Sequence, residues 1–377
     1  FIVSSIYAYS IVLSNYPAKA LIYYMVLQTI FVASIRVIGL RFFSKNPKKV
    51  ALIQYGLFVI LGVCAILLLN SKAYVIPFIV AIVISGVTAL ATIICWSMLS
   101  LAFSIREYKV VAKCCSQASY GSSIISGFGV PLLVTFFTNN ALLVFITLML
   151  GLCGVLIFQL PILYKEEKVQ RHNKKIKKIP IKYPLYHYMM FFTILSTTIL
   201  GISQYVMRLE SASYFTHEQL SAFFGYFSGV TNCLGLLAAS TCERVLKRSG
   251  LQGLLFSIPV ISLLSSCVVI FFPGFWSIMA LGATRNVFGY SYGTYGTEIT
   301  LNILPSSIRF ITKANIKATA NIVSIVLLVI FTIGKTTTYY LTWWIPPLCF
   351  LALWFAYKVK QYYKITLQQD SAFKRFS

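Results

Sequence analysis

Acidic residues are scarce in this chain, and the motifs of common soluble enzymes are missing from it. Asp and Glu together number 8 in 377 residues. No GxxxxGK loop, GxSxG turn or HExxH helix occurs, and no GxGxxG opens a helix after a strand. These absences predict a protein that is not an enzyme, with no catalytic residues and no cofactor. A proton pump built on a carboxylate relay is disfavoured for the same reason.

Metal ligands and disulfide partners are equally poorly represented. The 3 His are far apart in sequence, and the 9 Cys include no CxxC pair and no Cys/His spacing of a zinc site. Most of the cysteines fall within apolar stretches. We therefore expect no metal site and no disulfide.

Apolar residues, in contrast, dominate the chain. Hydrophobic residues make up 58% of it, and the mean hydropathy is +0.82. The apolar runs are continuous, as in residues 51–69 and 321–333. This composition excludes a soluble globular protein and a disordered one, and helices satisfy their own backbone hydrogen bonds in lipid. The sequence predicts an all-α membrane protein.

Spans of about 20 apolar residues can be placed along the whole chain. We expect twelve transmembrane helices, near residues 1–14, 20–42, 50–70, 74–103, 112–138, 140–164, 185–208, 219–243, 251–272, 274–302, 314–334 and 338–358. The chain opens inside an apolar stretch, so the first helix reads as truncated.

Lys and Arg are concentrated in every second break between these spans. Of the 32 basic residues, 26 lie in one set of breaks and 4 in the other. This alternation is typical of polytopic membrane proteins, whose cytoplasmic loops are basic. It predicts a multi-pass membrane protein with both termini cytoplasmic. The charge of +24 is then attracted to the anionic lipid of the inner leaflet, with no nucleic acid as partner.

Two halves surround a basic connector. We expect an N-terminal six-helix bundle at 1–164, a cytoplasmic linker at 165–184, a C-terminal six-helix bundle at 185–358 and a basic cytoplasmic tail at 359–377. Ser-Ile-Arg recurs at equivalent places in the halves, ending at Arg106 and at Arg309. Two parallel six-helix pseudo-repeats are the architecture of major facilitator transporters.

Charged and polar residues inside the spans are the candidate site residues, because a charge at membrane depth is costly. Arg285 lies midway through the tenth span, among Gly and hydroxyl residues that indicate either a tight packing face or a polar cavity wall. The candidate substrate-binding residues are Arg285, Asn286, Tyr290, Arg36 and Gln204. Arg36 also fits a side chain that reaches to the cytoplasmic surface.

A second set of charged residues lies near the cytoplasmic ends of the spans. Glu298 is close in sequence to basic residues that follow the tenth span, which suggests a gate or a salt bridge. The candidate gate residues are Glu298, Arg309, Lys313 and Arg106.

Short motifs in the second half resemble those of the ATP/ADP translocase family of plastids and intracellular bacteria, and of its bacterial major-facilitator-like relatives. The matching positions are Glu218–Gly225, Arg248–Gly250, Pro259, Tyr290-Ser291, Glu298, Leu304-Pro305, Arg309 and Lys313-Ala314, with Trp96 and Ser104–Lys109 in the first half. The resemblance implies nucleotide transport by antiport, in a bacterial inner membrane.

Two functions follow as expectations. The first is secondary transport of a small anionic solute, of phosphorylated or nucleotide type, by alternating access. The alternative is a transport-inactive subunit of the same fold that scaffolds or anchors a partner in a membrane complex.

Overall fold

All regular secondary structure in the computed structural model is helical wherever the chain is described. The described residues are 2–17, 20–43, 47–69, 75–87, 105–136, 139–159, 184–301, 306–332 and 338–373. In its first half the helices are α1 (Ile2–Asn15), α2 (Ala20–Phe43), α3 (Pro47–Leu69), α4 (Ile76–Val87), α5 (Ile105–Phe136) and α6 (Asn139–Gln159).

The second half contains longer helices and one π-helical segment. Its elements are α7 (Pro184–Tyr214), α8 (His217–Phe271), α9 (Phe275–Thr284), the π segment (Arg285–Gly293), α10 (Thr294–Leu301), α11 (Ser306–Thr332), α12 (Thr338–Thr342) and α13 (Ile345–Phe373). No residue separates α9, the π segment and α10, so they form one continuous helix from Phe275 to Leu301.

The chain divides into two compact units. Unit 1 comprises residues 1–172 and 215–232, and unit 2 comprises residues 173–214 and 233–377. The start of α8 therefore packs with the first half of the chain, and its remainder packs with the second. The proposed division at a linker over 165–184, and the pairing of the halves as repeats, stay predictions.

Tyrosines hold α1, α2 and α4 together inside unit 1. The Tyr24 hydroxyl lies 2.5 Å from Ser85 Oγ, and Tyr9 donates to Gln28 Oε1 at 3.4 Å. The rings of Tyr9 and Tyr24 meet edge to face at 5.2 Å between centroids. Hydroxyls in an apolar bundle need such partners, and the bonds fix the helices relative to one another.

One end of unit 2 contains an apolar cluster in which several helix ends meet. It is formed by Leu185, Met189, Phe192, Leu251, Leu255, Leu301, Ile316, Ala356 and Val359. Basic side chains lie beside it: Lys360 donates to Gln252, and Lys358 stands 5.8 Å from the Trp354 ring centroid. At the opposite ends of these helices, aromatic rings contact one another. The ring centroids of Tyr214 and Phe275, for example, are 4.8 Å apart. Aromatic residues favour membrane–water interfaces.

Four helices of the described chain are long and apolar enough to cross a membrane. They run over Pro184–Tyr214, Gln219–Phe271, Asn315–Thr332 and Tyr339–Ile365. Shorter apolar helices occur at Ala20–Val32, Ile76–Val87 and Val144–Val155. The helical membrane fold agrees with the sequence, whereas the count of twelve spans stays a prediction.

Two helices end later in the structure than the sequence predicts. The helix predicted near 185–208 is longer than expected: α7 continues to Tyr214, and Arg208 lies buried within it. The added residues have no Pro or Gly, so nothing stops the helix where the hydropathy falls. For the same reason α13 continues through the basic segment to Phe373.

Gly250 divides α8 into two helical arms. Its backbone has φ 65° and ψ −163°, whereas the residues on both sides are helical. This region of backbone conformation is open almost only to glycine, because a Cβ atom would clash with the adjoining peptide groups. The break falls in the basic turn predicted between the eighth and ninth spans.

Replacing Gly250 by Ala should therefore destabilise the protein through the backbone alone. No atom lies within 4 Å of the place where the new methyl would sit, so the cost is conformational, about 1–3 kcal/mol. Gly274→Ala is the matched control, since Gly274 is extended (φ 175°) and its surroundings are also open. Thermal unfolding in detergent should show a lower midpoint for Gly250→Ala only. Equal midpoints for both variants would contradict the assignment.

Candidate functional site

The π segment lies in the middle of the helix from Phe275 to Leu301 and contains three of the predicted site residues. Arg285 begins it, and Asn286 and Tyr290 lie within its nine residues. π-Helical turns are rare and are frequently found at functional sites. The structure thus brings Arg285, Asn286 and Tyr290 together on one irregular turn.

The local sequence explains why the helix departs from α geometry here. The segment reads RNVFGYSYG, and it contains two glycines, a β-branched residue and three aromatic residues. These residue types all favour the α-helix less than Ala does, Gly by about 1 kcal/mol. The Ser291 hydroxyl also bonds to the Val287 carbonyl, which offers the backbone a further partner.

One side of the helix from Phe275 to Leu301 contains glycines that allow close packing against α7 and α8 in unit 2. Methyl groups built on Gly282 and Gly289 would meet Met207 and Leu200 of α7 at 2.7 and 3.0 Å. A methyl on Gly296 would meet Leu254 of α8 at 3.2 Å. The expectation of a tight packing face is thus correct for the glycines.

The opposite side of the segment is polar and exposed. Tyr290 is 46% exposed, Thr294 is exposed, and Asn286 is partly exposed. These three residues follow at intervals of four, so they lie along one side of the helix. A hydrogen bond also joins one end of the segment to α8: the Thr241 hydroxyl lies 2.5 Å from the Tyr292 hydroxyl. The segment is therefore packed against α7 and α8 on its glycine side and accessible on the side of Asn286, Tyr290 and Thr294.

Arg285 lies close to an aromatic ring of the same segment. Its guanidinium carbon lies 5.8 Å from the centroid of the Tyr290 ring, within the range of a cation–π interaction. The arginine side chain is partly exposed. A positive charge is thereby held beside the exposed polar side of the helix.

Gln204 has a different environment from Arg285. It is 4% exposed, and its amide nitrogen donates to the Gly282 carbonyl oxygen at 2.6 Å. Ser211 lies beside Met279, with Oγ 3.9 Å from the sulfur. The later residue of α7 thus contacts the earlier residue of α9, so the two helices are antiparallel. Gln204 joins them by a hydrogen bond between helices.

Arg208 lies at the predicted end of the seventh span, and the structure buries it inside α7. It is 9% exposed and lies one turn beyond Gln204. A buried arginine is costly and is retained mostly for packing or function. The available signal was the helix-forming sequence after it, which contains no helix breaker.

Glu298 forms the ion pair that its position suggested, with a different partner. Its Oε1 atom lies 3.3 Å from Lys317 Nζ, and the two side chains are 27% and 46% exposed. The bond joins α10 to α11. The side chains of Arg36, Arg106, Arg309 and Lys313 lie outside the part of the structure that is described, so their roles stay predictions.

Comparisons with known proteins give a fold but no family. No family model and no curated protein matches the chain. The xylose transporter XylE from E. coli, in an inward open conformation, is similar with a TM-score of 0.64 and 12% identity, over 95% of this chain and 94% of that one. A bacterial metal transporter has a TM-score of 0.56 and 15% identity, over 95% and 96%.

A third solved structure with a similar fold is also a transporter. A bacterial homologue of the iron transporter ferroportin, in an inward-facing state, matches with a TM-score of 0.56 and 16% identity, over 95% of this chain and 96% of that chain. The chain has a fold of the major facilitator type, as its sequence predicted. The neighbours are transporters and not enzymes. They do not support the ATP/ADP translocase family.

Proposed function

We propose that this chain is a secondary transporter that moves a small anionic solute across a membrane by alternating access. Support comes first from the fold, which extends over nearly the whole length of three transporters. It comes also from the apolar helices, which are long enough to cross a bilayer. The three similar structures are named as transporters of different solutes. The solute of this chain must therefore be inferred from its own residues.

The observation that carries the anionic solute is the environment of Arg285. It lies near the middle of a helix of bilayer length, on a turn whose accessible side is polar. A charged side chain at this depth costs about 2.5–3.5 kcal/mol on insertion scales, unless water, a partner or a ligand stabilises it. An arginine beside the accessible polar side of this helix is suited to bind an anion from a water-filled path.

The described residues give no support to a metal cargo. Among the described residues, no group of three or more His, Cys, Asp and Glu is placed to hold a metal ion. Transition metals and Ca²⁺ are bound by such groups in proteins. An anion requires N–H donors and positive charge instead, which Arg285 and Asn286 supply.

We propose further that the solute is phosphorylated or of nucleotide type and that transport is by exchange. The support is the sequence resemblance to nucleotide carriers, together with the planar donor group of Arg285, which suits phosphate. In this proposal Gln204 supports the helix carrying the site, and Arg285, Asn286 and Tyr290 face the solute. The protein lies in a bacterial inner membrane with its basic loops and both termini toward the cytoplasm.

Uptake into proteoliposomes tests this function. Purified protein is reconstituted and loaded inside with unlabelled ATP, inorganic phosphate or glucose 6-phosphate. Uptake of the same labelled solute is then measured, with neutral xylose as the control solute. We expect at least one phosphorylated solute to accumulate above protein-free vesicles, and xylose not to accumulate. Uptake of xylose alone would contradict an anionic solute, and no uptake would favour the transport-inactive scaffold.

A further inference from the structure

The last long helix of unit 2, α13, carries lysines about one bilayer thickness away from a pair of tryptophans. Trp343 and Trp344 directly precede α13 and are exposed, and Trp favours membrane–water interfaces. Lys364 follows Trp344 by 20 residues. That is about 30 Å along a helix, which matches the thickness of the hydrocarbon core. A helix with Trp344 at one membrane surface therefore has Lys364 at the level of the lipid headgroups on the other.

One exposed face of α13 is apolar at first and ends in basic side chains. Phe350, Trp354 and Tyr357 are exposed, and their intervals of four and three residues place them along one side of the helix. Lys364 continues this side two turns after Tyr357 and is exposed as well. Lys358 follows Tyr357 directly, and its Nζ atom lies 5.8 Å from the centroid of the Trp354 ring. The apolar face suits acyl chains, and its end suits an anionic group.

Contacts with α7 and α8 hold the basic end of α13 in place. Lys360 donates to Gln252 of α8. The Tyr362 ring stacks on the Tyr188 ring of α7, with 5.0 Å between the centroids. Val359 is buried in the apolar cluster of unit 2. The neighbouring lysines thus extend from a packed helix and not from a flexible segment, which reduces the ordering cost of binding.

The charge of this segment is of one sign. From 345 to 369 the sequence contains three lysines and neither Asp nor Glu. A lysine ammonium binds phosphate as a compact positive charge with three donors. The Trp354 indole N–H and the Tyr357 hydroxyl add neutral donors beside the apolar face, the arrangement by which these residues suit membrane interfaces. The complementary ligand is an anion joined to an apolar chain.

We propose that the basic end of α13 binds an anionic phospholipid, with its phosphate beside Lys358 and Lys364 and its acyl chains along Phe350 and Trp354. This site differs from the general attraction of basic loops to anionic lipid, because it selects one lipid molecule at one place of unit 2. A soluble phosphate would contact the lysines and leave the apolar face unused, so the continuity of the two favours a lipid. The inference does not depend on the proposed transport function.

Native mass spectrometry of the full-length protein tests the site. The protein is purified in detergent and titrated with phosphatidylglycerol, and the bound fraction gives a dissociation constant. We expect Lys358→Gln and Lys364→Gln each to weaken binding by about five-fold, and the double variant by about 25-fold. Replacing both lysines by arginine (Lys358→Arg, Lys364→Arg) should keep the wild-type affinity, since the positive charge and the N–H donors remain.

Arg244→Gln is the matched control. Arg244 is an exposed residue of unit 2 on the first arm of α8, and its replacement removes the same charge. The affinity for phosphatidylglycerol should stay within about two-fold of the wild type. An equal loss in Arg244→Gln and Lys364→Gln would overturn the site, because net charge alone would explain the binding. Wild-type affinity in the double Gln variant would overturn it too, and so would loss of binding in the double Arg variant.

Other ligands separate a lipid from other sources of phosphate. Phosphatidylcholine has the same phosphate but no net charge, so it should bind about 25-fold more weakly than phosphatidylglycerol, like the loss of two lysines. Inorganic phosphate should not displace bound phosphatidylglycerol, because it has no apolar chain. Equal binding of the two lipids would overturn the selection of an anionic headgroup. Displacement by inorganic phosphate would overturn the lipid and assign the lysines to a soluble anion.

Discussion

Replacing Arg285 by Gln is expected to lower uptake of the anionic solute by about ten- to hundred-fold, because a charged hydrogen bond to the solute is lost. The substitution removes a charge from a helix that the sequence predicts to cross the membrane, so we expect no large loss of stability. Initial uptake rates in proteoliposomes and thermal unfolding midpoints of the same preparations measure the two effects. Loss of transport with an unchanged or higher midpoint is the expected combination.

Arg248→Gln is the matched control for this experiment. Arg248 is an exposed arginine of unit 2, in the basic turn before Gly250 and far from the π segment in sequence. Its replacement removes the same charge and should leave the uptake rate within about two-fold of the wild type. Wild-type uptake by Arg285→Gln would contradict the assignment of this arginine. An equal loss in both variants would show that net charge, and not this site, controls transport.

The fold type could be predicted from the sequence because its signals are averages over many residues. Hydropathy over about 20 residues locates membrane helices, and the alternation of Lys and Arg orients them. The fold of the major facilitator type agrees with the hydropathy, whereas the orientation stays a prediction. Helix ends are weaker signals: α7 passes through Arg208 because its termination depends on local residues and packing, which hydropathy does not register.

The candidate site was only partly predictable for a related reason. A charged residue in an apolar stretch is visible in the sequence, and Arg285 was found in this way. The π turn that places Tyr290 beside it was not foreseen, because hydropathy treats every helix as regular. Gly289 and Gly293 among aromatic residues were the available signal. The bond from Lys317 to Glu298 joins residues 19 apart on two helices, and only the three-dimensional structure reveals such a pair.

The crossing of α5 with the first arm of α8 in unit 1 supports the last prediction. Gly225 and Gly229 are four residues apart on α8, and they face Gly127 on α5. A methyl group built on Gly127 would lie 2.5 Å from the Gly229 nitrogen and 3.0 Å from the Gly225 oxygen. Small residues at such intervals allow two membrane helices to approach until their backbones touch. The obstacle is backbone, which cannot move aside as a flexible side chain can.

Gly127→Ala is therefore expected to force α5 and α8 apart and to destabilise the protein by about 1–3 kcal/mol, the usual cost of overpacking. Gly129→Ala is the control two residues along the same helix, where nothing lies within 4 Å of the added methyl. Because Ala favours a helix over Gly by about 1 kcal/mol, the control should be neutral or stabilising. Thermal unfolding of the two variants in the same detergent gives the comparison. Since both add one methyl to one helix, a midpoint for Gly127→Ala at or above that of Gly129→Ala would show that the helices do not touch at this glycine.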